Sequence, residues 1–200
     1  LHPVKLILTN YPEGQTETFE VENNPGKPED GTRTVSFSRE LWIEQEDFME
    51  EPVKGYFRLF PGNEVRLKTA YVVRCTGCKK DADGNVIEVY AEYDPDGRKV
   101  KSTIHWADVQ TAIDAEIRLY GNLFSVPDPD AHDFLEVLNP DSLEVLTGCK
   151  VEPCLAQAKP GQSFQFMRQG YFCADSRDST QEHPVFNRSV SLKDGFKRKS

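Results

Sequence analysis

The chain has 200 residues, of which 38% are hydrophobic and 28% charged, and its formal net charge is −9. This composition is typical of a globular protein with enough apolar mass for one large domain or two small ones. No apolar run approaches the roughly 20 residues that span a bilayer, so we expect neither a transmembrane segment nor a signal peptide. Taken alone, the negative charge argues against binding to nucleic acid or to membrane surfaces.

Short segments rich in β-branched and aromatic residues dominate the chain, and turn sequences separate them. The predicted strands are residues 4–8, 34–37, 65–74, 86–93, 100–106, 115–120, 143–148, 163–167, 170–173 and 185–192. Strands 65–74 and 86–93, joined across Asp83-Gly84-Asn85, are predicted to form a β-hairpin. Short helices are expected only over 44–50, 106–113 and 130–138. This spacing predicts an all-β protein built as closed barrels or as a sandwich, and the length favours two small barrels over one large one.

The charge is segregated along the chain. Residues 40–51 are acidic, whereas residues 58–80 hold six basic residues against the single acid Glu64: Arg58, Arg66, Lys68, Arg74, Lys79 and Lys80. The end of the chain is also basic, with Arg188, Lys193, Lys197, Arg198 and Lys199. Arginines on the rim of a β-barrel, with aromatic side chains nearby, suit single-stranded RNA. The alternative is a solvated outer strand face, which composition alone favours.

Gln165 and Arg168 form a second polar candidate. Phe164 and Phe166 share one face of the predicted strand, so Gln165 faces the other way. In a regular strand, residues three apart face opposite sides. Gln165 and Arg168 therefore converge only if the strand ends or bulges between them, and Gly170 is compatible with either. A polar strand face beside a turn is the alternative interpretation.

The cysteines and His105 carry weaker signals. Five cysteines without a secretory signal favour a reducing, cytoplasmic setting over a disulfide framework. Cys75 and Cys78 have the spacing of a zinc knuckle, but the only other pair, Cys149 and Cys154, is spaced differently and has no nearby His. Ordinary cysteines are the favoured interpretation, and a zinc-stabilised module is the alternative. His105, beside Trp106, is expected to be a half-buried packing residue.

Several collinear runs of residues match one known family. They are Pro3-Val4-Lys5-Leu6, Val65-Arg66-Leu67, Ile104-His105-Trp106, Glu116-Ile117-Arg118-Leu119-Tyr120, Phe164-Gln165-Phe166, Gly170-Tyr171-Phe172-Cys173 and Pro184-Val185-Phe186-Asn187-Arg188. These runs resemble the anticodon-binding region of glutaminyl-tRNA synthetases, which are class I aminoacyl-tRNA synthetases. The resemblance covers nearly all of the chain.

The resemblance implies a fold and a set of binding residues. It implies two six-stranded β-barrels with a few short helices, the first over 1–110 and the second over 111–200, with strands exchanged between them. In the family these barrels bind the anticodon loop of tRNA(Gln), whose three bases are unstacked in separate pockets. By matching motif, Arg58 corresponds to the reader of the third base, a guanine, and Arg66 to the contact with the first base. Gln165 and Arg168 correspond to the pocket for the central uracil.

The resemblance also implies what lies elsewhere. Neither catalytic signature of a class I synthetase occurs here, and the chain starts at Leu1 in strand-like sequence, so we expect an upstream catalytic domain. ATP with Mg²⁺, glutamine and the acceptor end of the tRNA should bind there. The chain alone is expected to hold no cofactor and to catalyse nothing, as a cytoplasmic monomer without membrane contact. One alternative is the same region of a glutamyl-tRNA synthetase. The other is a ribosomal-RNA-binding barrel.

Overall fold

The computed structural model describes residues 1–192, and within them it contains β-strands and four short 3-10 turns but no α-helix. The strands, in chain order, are β1 (Pro3–Leu8), β2 (Glu17–Glu22), β3 (Thr32–Phe37), β4 (Glu40–Glu44), β5 (Glu64–Leu67), β6 (Val72–Lys80), β7 (Val86–Asp94), β8 (Thr103–Ile104), β9 (Ala107–Asp108), β10 (Ile113–Tyr120), β11 (Leu143–Val151), β12 (Ser163–Phe166), β13 (Gly170–Ala174) and β14 (Val185–Val190). The prediction of a mostly β protein is confirmed.

The chain divides into two compact units. The first contains Leu1–Ile113 together with Lys150–Pro153, and the second contains Asp114–Cys149 and the chain from Cys154 onward. The domain boundary between residues 110 and 111 stays a prediction. No helix within residues 1–192 is long and apolar enough to cross a membrane.

The first unit is built on a strongly curled seven-stranded sheet with the order β8-β5-β6-β7-β1-β4-β9. β1 pairs in parallel with β7 and antiparallel with β4, and β2 and β3 form a separate two-stranded ribbon. Alternate residues of β1 and β5 are buried, which places Leu6, Val65 and Leu67 in the core with no exposed surface. Phe37 lies at the centre of an aromatic cluster, with its ring 5.0 Å from that of Trp106.

The predicted continuous strand 65–74 is wrong. β5 ends at Leu67 and β6 begins at Val72, because a tight turn separates them. In that turn Thr69 has a left-handed φ of 65°, and the Ala70 amide donates to the Leu67 carbonyl at 2.9 Å. The turn contains none of the Gly, Pro, Asn or Asp residues that mark turns in sequence. The hairpin that crosses Asp83-Gly84-Asn85 is confirmed, and it joins β6 to β7.

The three expected short helices do not form. Residues 44–50 contain the end of β4 and a 3-10 turn at Gln45–Asp47. Residues 130–138 contain the end of the 3-10 turn Pro129–Ala131, a further turn over 134–137 and Leu138, which forms an isolated bridge with Phe124. Residues 106–113 contain β9, where the buried Asp108 carboxylate accepts hydrogen bonds from Ser38 and from the Gln110 amide. The bond from Ser38 and the pairing of β9 with β4 are tertiary contacts, and they override the weak local preference for helix.

The second unit contains a five-stranded sheet with the order β11-β10-β14-β13-β12. β10 and β14 are parallel, whereas β12, β13 and β14 are successive antiparallel neighbours. Phe172 and Phe186 are fully buried, and the ring of Phe166 stacks on that of Phe172 with centroids 4.4 Å apart. The predicted inward face of β12 is therefore confirmed, and Gln165 is exposed on the opposite face.

Candidate nucleic-acid interface

The backbone on either side of Arg58 is fixed to neighbouring segments. The Leu59 amide donates to the Asp47 carbonyl at 2.9 Å, and the Met49 amide donates to the Leu59 carbonyl at 3.0 Å. On the other side, the Asn63 amide group donates to the Arg58 carbonyl at 2.6 Å. The backbone position of Arg58 is therefore fixed by hydrogen bonds, although the residue lies outside the strands.

The Arg58 side chain is held along one edge of its guanidinium. Its Nη1 donates to the Glu46 carbonyl at 2.8 Å and to Asp47 Oδ1 at 3.2 Å. The guanidinium carbon lies 5.4 Å from the centre of the Tyr56 ring, within the range of a cation–π interaction. The Nε and Nη2 groups have no hydrogen-bond partner among residues 1–192. The Arg58 side chain as a whole is 32% exposed.

The open edge of Arg58 has a specific chemical capacity. Nε–H and Nη2–H point in parallel and form a rigid two-donor fork, which binds two adjacent acceptors at once. Guanine offers such a pair in O6 and N7, and an arginine fork on guanine is the commonest base-specific contact in nucleic-acid recognition. The contacts of Arg58 leave this two-donor edge available, and its role as the reader of the third base stays a prediction.

Arg66 is arranged differently. It lies in β5, where Nη1 donates to the Ala70 carbonyl at 3.3 Å and Nη2 donates to the Arg98 carbonyl at 2.6 Å. Both terminal nitrogens are therefore engaged by backbone, and Arg66 holds the loop after β7 in place. The donors of Arg66 that remain available to a ligand are Nε–H and the second N–H of each terminal nitrogen. This suits a single hydrogen bond to a pyrimidine better than a fork on guanine.

The segments that carry Arg58 and Arg66 are linked within the first unit. Phe57, which is 58% exposed, has the ammonium of Lys101 at 5.9 Å from its ring centre. Lys101 belongs to the same loop as Arg98, whose carbonyl binds Arg66. Two contacts thus connect both predicted base-contacting arginines through one basic loop.

Gln165 and Arg168 lie at the hairpin between β12 and β13. β12 ends at Phe166, and Arg168 adopts a left-handed φ of 64° in the turn that follows. The strand therefore does end between the two residues, which was the condition for their convergence. Gly170 is required here, since a Cβ would lie 2.3 Å from the Val190 carbonyl oxygen and its φ is 140°. The shared base pocket of Gln165 and Arg168 stays a prediction.

Much of the basic charge predicted over 58–80 is paired with carboxylates. Asp47 binds Arg58, Glu88 lies 3.4 Å from Lys79, and Glu50 binds Lys80. The sequence shows the acidic residues of 40–51, but it does not show that some of them pair with the basic segment. The residues Lys193, Lys197, Arg198 and Lys199 of the second predicted basic cluster lie outside the described residues.

A second ionic cluster was missed from the sequence. Glu152 accepts hydrogen bonds from Arg33 Nε at 2.6 Å and Nη2 at 2.9 Å, and its Oε1 lies 3.1 Å from His105 Nε2. Burial alone would raise the pKa of Glu152, but the hydrogen bonds from His105 and Arg33, together with their charges, lower it to about 2. His105 is partly buried as expected, and it also anchors a carboxylate. The cluster holds Lys150–Pro153 in the first unit.

The zinc alternative receives no support from residues 1–192. Within them, no group of three or more His, Cys, Asp and Glu side chains could hold a metal ion. Burial raises the pKa of Cys75 to about 11, which disfavours the thiolate that binds metal. The thiol of Cys75 instead contacts the Gly77 carbonyl, at 3.7 Å.

The described residues form a mostly β chain with arginines at its surface, and comparison with known proteins shows the class to which it belongs. Two family models, both described as the anticodon-binding domain of class I tRNA synthetases for E and Q, match residues 1–94 and 103–175. The chain belongs to this family of anticodon-binding domains.

Relatives of known function include glutamine–tRNA ligases from three bacteria. The chain is 56% identical to that of Cupriavidus taiwanensis, 54% to that of Clostridioides difficile and 51% to that of Pseudomonas putida. Each alignment covers 98% of this chain but only 35%, 37% and 36% of the respective relative. The chain therefore spans about a third of the length of these proteins.

Proposed function

We propose that the chain is the anticodon-recognition part of a glutamine–tRNA ligase and that it binds the anticodon loop of tRNA(Gln). The observation that carries this proposal is Arg58, whose guanidinium is held at one edge and presents an open two-donor fork at the other. The third base of the glutamine anticodon CUG is a guanine, which such a fork reads. In the glutamate anticodon this base is a cytosine, so Arg58 favours the glutamine enzyme.

The other bases are assigned to the remaining predicted residues. Arg66 contacts the first base, C or U, with the donors that the backbone leaves available. Gln165 and Arg168 contact the central uracil. The side-chain amide of Gln165 supports this role, because it offers one donor and one acceptor to the matching edge of uracil. Phosphate contacts position the loop, and the base contacts specify it.

The barrel architecture is also a proposal. We infer that the chain forms two six-stranded barrels over 1–110 and 111–200 and that they exchange strands. The curled sheet of the first unit supports the first barrel. The inclusion of Lys150–Pro153 in the first unit, although its neighbours in sequence belong to the second, supports the exchange.

The chemistry of the whole enzyme is assigned to the rest of the longer protein. Class I synthetases use ATP with Mg²⁺, and neither of their two catalytic signatures occurs in this sequence. The chain also spans only about a third of the length of the relatives that it matches. We therefore propose that ATP, glutamine and the acceptor end bind to an attached catalytic domain. The parent is proposed to be a cytoplasmic monomer.

A titration distinguishes this function from its alternatives. The chain is mixed with three fluorescently labelled RNAs at fixed low salt: a CUG anticodon stem-loop, the same stem with the glutamate anticodon CUC, and a ribosomal RNA helix of equal length. We expect the CUG loop to bind most tightly. Tightest binding to CUC would favour the glutamyl-tRNA synthetase alternative, and preference for the ribosomal helix would contradict anticodon recognition.

A further inference from the structure

We propose that Asp47 is the positioning residue that aims Arg58 at the third anticodon base. This inference rests on the proposed function. Asp47 ends the 3-10 turn after β4, and only 1% of its surface is exposed. Its Oδ1 accepts a hydrogen bond from Arg58 Nη1 at 3.2 Å. A carboxylate buried this deeply beside an arginine that reaches solvent acts on that arginine and does not itself touch RNA.

The contacts of Asp47 select which edge of Arg58 faces outward. Both Asp47 Oδ1 and the Glu46 carbonyl bind the same nitrogen, Nη1, and the guanidinium carbon lies 5.4 Å from the centre of the Tyr56 ring. Two acceptors on one nitrogen and a neighbouring ring restrict the directions that the group can take. The fork of Nε and Nη2 then points away from the protein. A reader oriented before binding loses less conformational entropy when the base arrives.

Neighbouring residues make the carboxylate a rigid support. The Leu59 amide binds the Asp47 carbonyl at 2.9 Å, and Phe48 and Leu59 pair across an isolated bridge. Phe48 and Leu59 are both buried. Glu46 cannot replace Asp47, because its carboxylate lies 4.0 Å from Arg58 Nη1 and is 58% exposed. The position of Asp47 is thus set by the core, and the position of Arg58 is set by Asp47.

The test measures base discrimination rather than overall affinity. Dissociation constants for the CUG and CUC stem-loops are measured with the wild-type chain and with Asp47→Asn, which keeps the size of the side chain but removes its charge. A good arginine–guanine pair gives about 5- to 150-fold discrimination. We expect Asp47→Asn to lower the CUC/CUG ratio of dissociation constants by about 5-fold or more, mainly through weaker binding of CUG.

Asp108→Asn is the matched control. Asp108 is also buried in the first unit, at 3% exposure, and its carboxylate accepts hydrogen bonds from Ser38 and the Gln110 amide. We expect this variant to lower thermal stability without changing the CUC/CUG ratio. If Asp47 acts only on folding, the two variants will behave alike. Should Asp47→Asn not fold, Asp47→Ser is measured in its place, with the same expected ratio.

A double-mutant cycle tests whether Asp47 acts through Arg58. In the Arg58→Ala background, Asp47→Asn should leave the ratio unchanged, because the group that it orients is gone. Suppose that the wild type prefers CUG to CUC and that folded Asp47→Asn shows the same preference. This result overturns the role of Asp47 and leaves the proposed function intact. A wild type that binds CUG and CUC alike overturns the role of Arg58, and with it that of Asp47.

Discussion

Replacing Arg58 with lysine tests whether the third anticodon base is read by a two-donor fork. A lysine at this position keeps the positive charge beside the buried Asp47, so the ion pair with that carboxylate is retained. It loses the fork, because an ammonium is a point charge that cannot place two parallel N–H groups on one base edge. Arg58→Lys therefore separates charge from geometry, which Arg58→Ala does not.

The magnitude follows from the contacts that Arg58 has and those that it lacks. Nη1 is engaged by the protein, so the base-specific energy resides in Nε and Nη2. A bidentate arginine–guanine pair contributes about 1–3 kcal/mol of discrimination. We expect Arg58→Lys to weaken CUG binding by about 5- to 150-fold and CUC binding by much less. Arg58→Ala should in addition lower stability by about 1–3 kcal/mol, because it removes the cation beside a buried carboxylate.

The assay is fluorescence anisotropy with the CUG and CUC stem-loops, combined with thermal unfolding of each variant. Arg39→Lys is the matched control, since Arg39 lies in the same unit and pairs with Glu13, whose side chain is 85% exposed. This control should leave the CUC/CUG ratio unchanged. If Arg58→Lys is folded and keeps the wild-type ratio, the fork does not read the third base.

Three further predictions concern stability and salt. Because the pKa of Glu152 is lowered to about 2, its ionised form stabilises the fold above pH 4.5, and this stability is lost as the pH falls through 2. The free energy of unfolding of Glu152→Gln should therefore differ from that of wild type by about 3 kcal/mol at pH 6, and the two should converge only near pH 2 and below. A pH-independent difference would refute the reasoning. In denaturant titrations, Gly170→Ala should lower the free energy of unfolding by more than Gly161→Ala does. Both glycines have a positive φ, but of the two only Gly170 would bring a Cβ against backbone, at 2.3 Å. Equal losses of stability would contradict this. RNA affinity should fall with rising salt concentration. Arg58→Lys should have the same slope of log K against log salt concentration as wild type, because the predicted contact of Arg58 is to a base. A changed slope would indicate that Arg58 contacts a phosphate instead.

The sequence predicts the strands better than their connections. Alternation identified the inward face of β12 and the outward direction of Gln165, because side chains in a strand alternate with a period of two. The turn at Thr69 could not be predicted, since Thr carries no turn signal and its φ of 65° is imposed by surrounding hydrogen bonds. β2 was missed because its glutamates have low strand propensity, and its partner β3 lies across a nine-residue loop.

The candidate site was only partly predictable, for a related reason. The assignment of Arg58 as a base reader depends on the resemblance to a family, whereas composition alone favours a solvated strand face. Arg58 is held by Asp47, which lies eleven residues away in sequence. The pairing of Arg33 with Glu152 spans 119 residues. Contacts over such separations depend on the fold, so charge counts along the sequence detect the charges but not their partners.

The central claim is that the chain reads the anticodon base by base, and a panel of single-base changes tests it most directly. Wild-type chain is titrated with stem-loops that differ only in the anticodon: CUG, CUC with the third base changed, and CAG with the central base changed. We predict that CUG binds best and that each change weakens binding by about 5-fold or more. Equal affinity for all three loops would contradict base recognition by Arg58, Gln165 and Arg168, and would reduce the surface to one that binds phosphates alone.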